Sequence, residues 1–291
     1  MLSNKKLLII GSNGQIGRSF FFLKKKNKNL KLFFVNKKKK NYLRTSILKK
    51  IIENNNYNYV INCAAFTDVD SAEIYKNKAL ELNYKLVKNI ISLIKNKKIF
   101  FIHFSTEFVF SGKKLNHYNE NDKMAPLNYY GTSKSMADNL ILSSKIPCII
   151  FRISWLFSRW NNNFLNKILT LANNNSYLKV VNDQKGSPTH ALELANNILE
   201  IIRLDKFKKI TTPQIFNYRN KGITTWYLFA KKILKVFKIK CNVYPISYKD
   251  YNSKVSRPKN SCLSINKLRK FFKINISTWQ NSISNCYNNK I

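Results

Sequence analysis

The stretch "LLIIGSNGQIG", Leu7 to Gly17, decides the fold. Four apolar residues run straight into a glycine loop. Gly11, Gly14 and Gly17 fall within seven positions, although the whole chain holds only 7 glycines. A short, continuous apolar run marks a strand buried on both faces. A helical pattern starts at Gln15, so the stretch reads as strand, G-x-x-G-x-x-G turn and helix. In a dinucleotide-binding unit the first glycine permits the tight turn. The second lets backbone approach a diphosphate, and the third lets the helix pack close to the strand. The diphosphate rests on the free N–H groups of the helix N-terminus. The spacing alone also fits an ordinary strand–turn–helix corner.

Outward from the loop, strand patterns recur at 30–35, 59–63, 99–105 and 147–152. Helical patterns fall at 15–25, 47–52, 72–95 and 129–144. This alternation predicts an α/β fold with a doubly wound, Rossmann-type parallel sheet. After Ser154 the pattern changes to a helix at 163–173, a strand at 178–181 and helices at 191–203 and 224–237. Residues 1–154 therefore read as an NADP-binding domain. Residues 155–291 read mainly as a smaller substrate lobe over the sheet's carboxyl edge, with some segments returning to the first domain.

The segment after the second strand, "LFFVNKKKK", lacks the acid that usually holds the ribose hydroxyl of NAD. The lysines at 37–40 suit a 2′-phosphate, which favours NADPH over NADH. They are equally readable as surface lysines.

The stretch "YYGTSK" holds Tyr130 and Lys134, four apart and so on one helix face. A tyrosine titrates near 10, and an adjacent ammonium favours the phenolate. Pro126 fits the start of that helix. The pair is common by chance in a lysine-rich chain, but "HFSTEFVFSG" places Thr106 where the fourth strand meets the carboxyl edge. Thr106, Tyr130 and Lys134 together form a carbonyl-reduction triad: a polarising hydroxyl, a proton donor and a cation. In "NCAAFTDVDSAE", the small Ala64 and Ala65 allow close approach of a cofactor. Asp68, Asp70 and Glu73 cluster there, either as metal ligands or as caps for the next helix, and capping is the preferred reading.

A length of 291 residues and a hydrophobic content of 44% suit a globular protein with a substantial core. No apolar run approaches a membrane span. Five scattered cysteines suggest neither a disulfide framework nor a zinc site, and a reduced, cytoplasmic setting is expected. The net charge of +38 raises a nucleic-acid partner. The lysines are spread over every apparent loop and helix surface, as compositional drift in an AT-biased genome would leave them. Nucleic acid is therefore not the expected partner.

These pieces resemble the extended short-chain dehydrogenase/reductase superfamily and, within it, the dTDP-4-dehydrorhamnose reductase family. The resemblance covers nearly the whole chain. It runs through "GSNGQIG", "VINCAAFTDVDSAE", "FSTEFVFSG", "PLNYYGTSK", "FRISWLF", "NNFLNKILTLA", "VVNDQKGSPT", "TTWYLFA" and "SRPKNSCLS". It implies reduction of the 4-keto group of a dTDP-linked 6-deoxy sugar by NADPH, with NADH as the alternative, giving dTDP-L-rhamnose. It implies that Thr106, Tyr130 and Lys134 are the catalytic triad. Gly11, Asn13, Gly14, Gln15, Ile16 and Gly17 would hold the cofactor, with Ala64, Ala65, Thr67 and Asn83. Phe108, Trp155 and Arg257 would meet the sugar nucleotide, the last through its diphosphate. Trp155 also reads as core, and Arg257 as a surface ion pair.

The chain departs from the family's pattern in places. Glu107-Phe108 stands where the family reads Asp-Tyr, so a substrate hydroxyl contact is lost. Ser19 and Leu192 occupy the positions of glutamates that bridge some members through magnesium, so a magnesium-linked homodimer is not expected. A homodimer of another kind stays open. A non-catalytic NADP-binding subunit, like the regulatory partner of methionine adenosyltransferase, is the rival reading. The retained triad argues against it.

Overall fold

The computed structural model describes residues 5–251 and 253–288. In the first half β1 (Lys5–Ile10), β2 (Leu30–Val35), β3 (Tyr59–Asn62), β4 (Phe100–Thr106) and β5 (Cys148–Ile153) alternate with helices. These are α1 (Gln15–Leu23), α2 (Thr45–Glu53), α3 (Val69–Ile74), α4 (Lys76–Leu80), α5 (Leu86–Ile94) and α6 (Tyr129–Ser143). The second half opens with β6 (Leu156–Phe157), α7 (Phe164–Asn174), β7 (Tyr177–Val181), β8 (Lys185–Gly186) and β9 (Thr189–His190). It continues with α8 (Ala191–Arg203), β10 (Gln214–Tyr218), β11 (Thr224–Thr225), α9 (Trp226–Phe237), β12 (Asn242–Ile246), α10 (Asn266–Phe272) and α11 (Trp279–Asn288).

The central sheet has the order β2-β1-β3-β4-β5-β10, and every pairing is parallel. Strand alternation divides the apolar runs between two layers. Leu7 and Ile9 face α1 and α8, while Leu8 and Ile10 face α2 and α5. All four are fully buried, which is why the run in β1 is continuous rather than alternating. From β1 the chain moves outward to β2 and then returns to the other side as β3. This reversal opens a crevice at the carboxyl ends of β1 and β3, the place where such sheets bind ligands.

The second half builds its own apolar cluster around Trp155, Phe157, Phe229 and Trp279. Its β12 pairs in parallel with β7, while β10 joins the edge of the central sheet beside β5.

The single helix expected over 72–95 is divided. Tyr75 leaves helical geometry at φ −102°, ψ 51°, and a π turn spans Glu81–Lys85. The apolar spacing carries through both interruptions, so periodicity alone reads one helix. Among the described residues, no helix is long and apolar enough to cross a membrane.

Candidate active site

The glycine loop is locked to its neighbours by backbone. Gly11 N and Ser12 N donate to Val35 O at 2.9 and 3.1 Å, and Cys63 N donates to Ile10 O at 2.8 Å. Gly11 has φ +83°, and a Cβ there would lie 2.5 Å from Ala64 N. At Gly17 a Cβ would lie 2.5 Å from Gly11 O and 2.6 Å from Ser12 Cα. Gly17 thus lets the helix settle on the loop itself rather than on the strand. At Gly14 a Cβ would meet nothing closer than 3.6 Å, and Gly14 lines a cleft of about 650 Å³. It caps α1 without any side-chain hydrogen bond, which leaves the start of the helix without a side-chain cap, as helix starts that receive an anion are.

The loop after β3 forms the opposite wall through Ala64, Ala65 and Thr67. Asn62 Oδ1 accepts Ala64 N at 3.1 Å. Asn83, fully buried in the π turn, is not on the cleft wall. It grips the loop from behind: its Oδ1 accepts Phe66 N at 2.8 Å, and its Nδ2 donates to Phe66 O at 3.1 Å and Ser133 Oγ at 2.9 Å. Asn83 sits at the middle of the π turn Glu81–Lys85, and such turns recur at functional sites.

Thr106 ends β4, while Tyr130 and Lys134 lie on α6, and all three border the same cleft. Asn128 caps α6 by accepting Gly131 N at 2.9 Å. Pro126 therefore precedes the cap instead of opening the helix. A Cβ at Gly131 would overlap Phe108 O, with Pro126 Cβ 2.9 Å away, so the bare glycine lets α6 close on the segment after β4. That closure sets the Tyr130 ring edge-on against Phe108, centroids 5.6 Å apart at 72°.

Thr106 Oγ1 donates to Glu107 Oε2 at 2.8 Å and accepts Phe108 N at 3.2 Å. Burial pushes Glu107 up to about 7, against the opposing pull of hydrogen bonds from Thr106 and backbone N–H groups. Burial raises Tyr130 well above its ordinary value, and the Glu107 charge adds to this. Thr106 pulls it down by hydrogen bonding, and the lowering expected from Lys134 does not enter. Burial lowers Lys134 to about 8, with Asp138 opposing. Lys134 Nζ donates to Phe104 O at 2.6 Å and lies 3.1 Å from His103 Nε2. Ser105 Oγ, buried on the cleft wall, has no protein partner. With the uncapped helix start and the bare Gly14, that unpaired hydroxyl fits a dinucleotide lying along this cleft.

Trp155 and Arg257 reach the cleft from the second half. Trp155 stacks on Trp226 with centroids 3.5 Å apart, so it is both core and wall. A smaller cavity of about 280 Å³ opens beside it and shares Phe108, Trp155 and Arg257 with the cleft. Arg257 makes a two-pronged contact with Asp70, Nη2 lying 2.8 and 2.7 Å from its oxygens, and Nη1 bonds Ser253 Oγ. The acids each have work of their own. Asp68 caps α3 through Ser71 N at 2.9 Å, and Glu73 accepts Tyr129 N at 2.6 Å.

The loop after β6 reaches back to the glycine loop. Ser158 Oγ donates to Gln15 Oε1 at 2.8 Å, and Asn161 Nδ2 donates to Asn13 O at 2.8 Å. Sequence reasoning missed this contact; two polar residues across 143 positions carry no local signal. Ile16 lines the cleft beside Gln15. Ser19 bonds Gln15 O at 2.8 Å, Leu192 is buried, and Glu193 accepts Asn220 Nδ2 at 2.6 Å. Among the described residues, no group of three or more His, Cys, Asp or Glu is placed to hold a metal.

Comparison with known proteins agrees with this geometry. The family model described as the RmlD substrate binding domain matches residues 5–291. A dTDP-4-dehydrorhamnose reductase of Aggregatibacter actinomycetemcomitans is 32% identical, over 96% of this chain and 97% of that protein. The crystal structure of a dTDP-4-dehydrorhamnose reductase from Clostridium acetobutylicum matches with a TM-score of 0.90 and 29% identity, covering 97% of this chain and 98% of that one. That of the Bacillus anthracis enzyme, in complex with NADP, matches with a TM-score of 0.90 and 26% identity, covering 99% and 100%. With Thr106, Tyr130, Lys134, the glycine loop and Trp155 on one cleft, a family model over residues 5–291 and a relative 32% identical over 96% of this chain, the chain belongs to the dTDP-4-dehydrorhamnose reductase family.

Proposed function

We propose that this protein reduces the 4-keto group of dTDP-4-dehydro-6-deoxy-L-mannose with NADPH, giving dTDP-L-rhamnose. The observation that carries the reading is the meeting of Thr106, Tyr130 and Lys134 on a cleft that Gly14, Gln15 and Ile16 of the glycine loop also line. The NADP complex of the Bacillus anthracis relative supports the cofactor. Gly11 to Gly17 hold the diphosphate on the start of α1. Ala64, Ala65 and Thr67 flank the cofactor, and Asn83 fixes their loop. Lys37 to Lys40 follow the end of β2, whose Val35 O binds the glycine loop, and they take the 2′-phosphate.

The bound cofactor supplies a hydride to the carbonyl carbon. Tyr130 gives its phenolic proton to the carbonyl oxygen. Thr106, its hydroxyl turned from Glu107 Oε2 to that oxygen, steadies it as charge shifts. Lys134 as an ammonium stabilises the phenolate left behind. Trp155 and Phe108 hold the sugar face, and Arg257 meets the diphosphate. The residues up to 154 form the cofactor side and those from 155 mainly the substrate side. The protein works in the cytoplasm, where nucleotide sugars are made.

The test is direct. Purified protein, NADPH and dTDP-4-dehydro-6-deoxy-L-mannose are mixed, and nicotinamide absorbance is followed. Oxidation of NADPH that depends on the sugar, with dTDP-L-rhamnose as product, is the expected result. NADPH bound without oxidation would instead favour the non-catalytic subunit.

A further inference from the structure

Lys134 is held by a chain of hydrogen bonds whose donor count is fixed at one end. Ala64 N–H can only donate, so the Asn62 oxygen 3.1 Å away must face it. The Asn62 amide nitrogen then faces His103 Nδ1 at 3.3 Å and donates to it. A neutral imidazole that accepts at Nδ1 carries its proton on Nε2. That Nε2–H points at Lys134 Nζ, 3.1 Å away. An ammonium has three donors and no lone pair, whereas a neutral amine can accept one bond and still donate. Here Nζ also donates to Phe104 O at 2.6 Å. Only the neutral amine satisfies both contacts.

The alternatives each leave two donors facing one another in a sealed place. Moving the proton to His103 Nδ1 sets it against the Asn62 amide. Turning that amide sets it against Ala64 N–H. His103 is fully buried, and Asn62 and Lys134, which border the cleft, are 1% exposed, so the conflict at the ring is costly. The charged and titratable neighbours do not remove it. Tyr130 and Asp138 share α6 with Lys134. Asp138 gives one oxygen to Arg152 of β5 at 2.9 Å, and Glu107 acts on Tyr130. The wall from β3 is the uncharged Asn62.

We infer that His103, fixed as the Nε2–H tautomer by Asn62, is a positioning residue. In alkaline solution it holds Lys134 against β4 as a neutral amine, and Lys134 turns into the cleft only as an ammonium, so cofactor binding there takes up a proton from solvent. This rests on the cleft being the cofactor site. Burial pushes the same way, holding His103 well below its ordinary range and lowering Lys134 to about 8 against the pull of Asp138, so the amine prevails on the alkaline side of that value.

Two measurements test it. The first is the nitrogen NMR of histidine-labelled protein without added nucleotide, with His103 assigned by its loss in His103→Gln. A neutral ring protonated on Nε2 is expected; an Nδ1–H ring, or a cation at pH 7, overturns the inference. The second is calorimetry of NADP⁺ binding at pH 9 in buffers of different ionisation enthalpy. Uptake of roughly half a proton or more is expected. It should be lost in Asn62→Asp, whose carboxylate accepts from both Ala64 N–H and His103 Nδ1–H and so frees Nε2 to accept from an ammonium. Binding without uptake in the native chain overturns the inference, as does full uptake in an Asn62→Asp variant with a switched tautomer. Absence of any binding refutes the cofactor site instead, and the tautomer still decides how His103 meets Lys134. If Asn62→Asp does not fold, the two measurements on the native chain decide.

Discussion

Glu107→Gln should stabilise the protein in a pH-dependent way. The carboxyl is buried at 3% exposure and bonded to Thr106. It releases its proton near 7 in the fold, against an ordinary value of 4.5. Between those values the folded state holds a proton that the unfolded chain has lost. Stability therefore falls as pH rises through this window and is flat on either side. At about 1.4 kcal/mol per pH unit, the gap corresponds to roughly 3 kcal/mol. Glutamine keeps an acceptor for Thr106 but cannot ionise. Its amide also meets backbone N–H groups that the carboxylate accepted, a fixed cost that does not vary with pH. Urea denaturation of both proteins from pH 4 to 8 isolates the varying part, because every other titrating group is shared. The difference in unfolding free energy, variant minus native, should climb by about 3 kcal/mol and level off above pH 7. A difference that stays flat across this range would refute the assignment of a buried, late-titrating Glu107.

Tyr130→Phe should lower turnover by roughly 10²- to 10⁴-fold while the Kd for NADPH, measured by fluorescence titration, stays unchanged. Gly17→Ala drives a Cβ into Gly11 O and Ser12 Cα. It should cost about 1–3 kcal/mol in thermal unfolding and weaken NADPH binding. Asn83→Ala removes the three hydrogen bonds that hold the loop at Phe66 to α6. A loss of about 2–3 kcal/mol in urea denaturation is expected, with weaker cofactor binding. Arg257→Ala should raise KM for the nucleotide sugar roughly tenfold or more and leave the NADPH Kd alone; an unchanged KM would place the diphosphate elsewhere.

The sequence made the parallel half readable because its strands are buried on both faces. "LLII" is an uninterrupted apolar run, and "YVIN" and "IFFIHFS" are apolar but for Asn62, His103 and Ser105, a make-up that a half-exposed strand would not show. Two later strands, β12 and β10, escaped notice for other reasons. In β12, "NVYPI" is at most half-buried and carries a proline, which fits an edge pairing and hides the strand pattern. "QIFNY" of β10 is short and takes its place only because β5 lies open beside it. At the site, residue types predicted which groups gather but not how they are held. Tyr130 and Lys134 lie four apart and could be paired by counting. The grip of His103 on Lys134 depends on β4 facing α6, and the link from Arg257 to Asp70 spans 187 positions.

That last link gives the proposed substrate cleft a threshold. Arg257 is already satisfied by a carboxylate, so an incoming anion must displace Asp70 rather than fill an open socket. Asp70 is 62% exposed at its side chain, and an ion pair so placed is worth at most about 1 kcal/mol. A single weakly held anion, such as free phosphate, gains little by the exchange. A diphosphate that also anchors a sugar and a base gains enough to complete it. On the proposed assignment the pair is a mild filter: at most about 1 kcal/mol, roughly fivefold, stands against any rival anion, and Asp70 restores the same Arg257 orientation each time a product leaves.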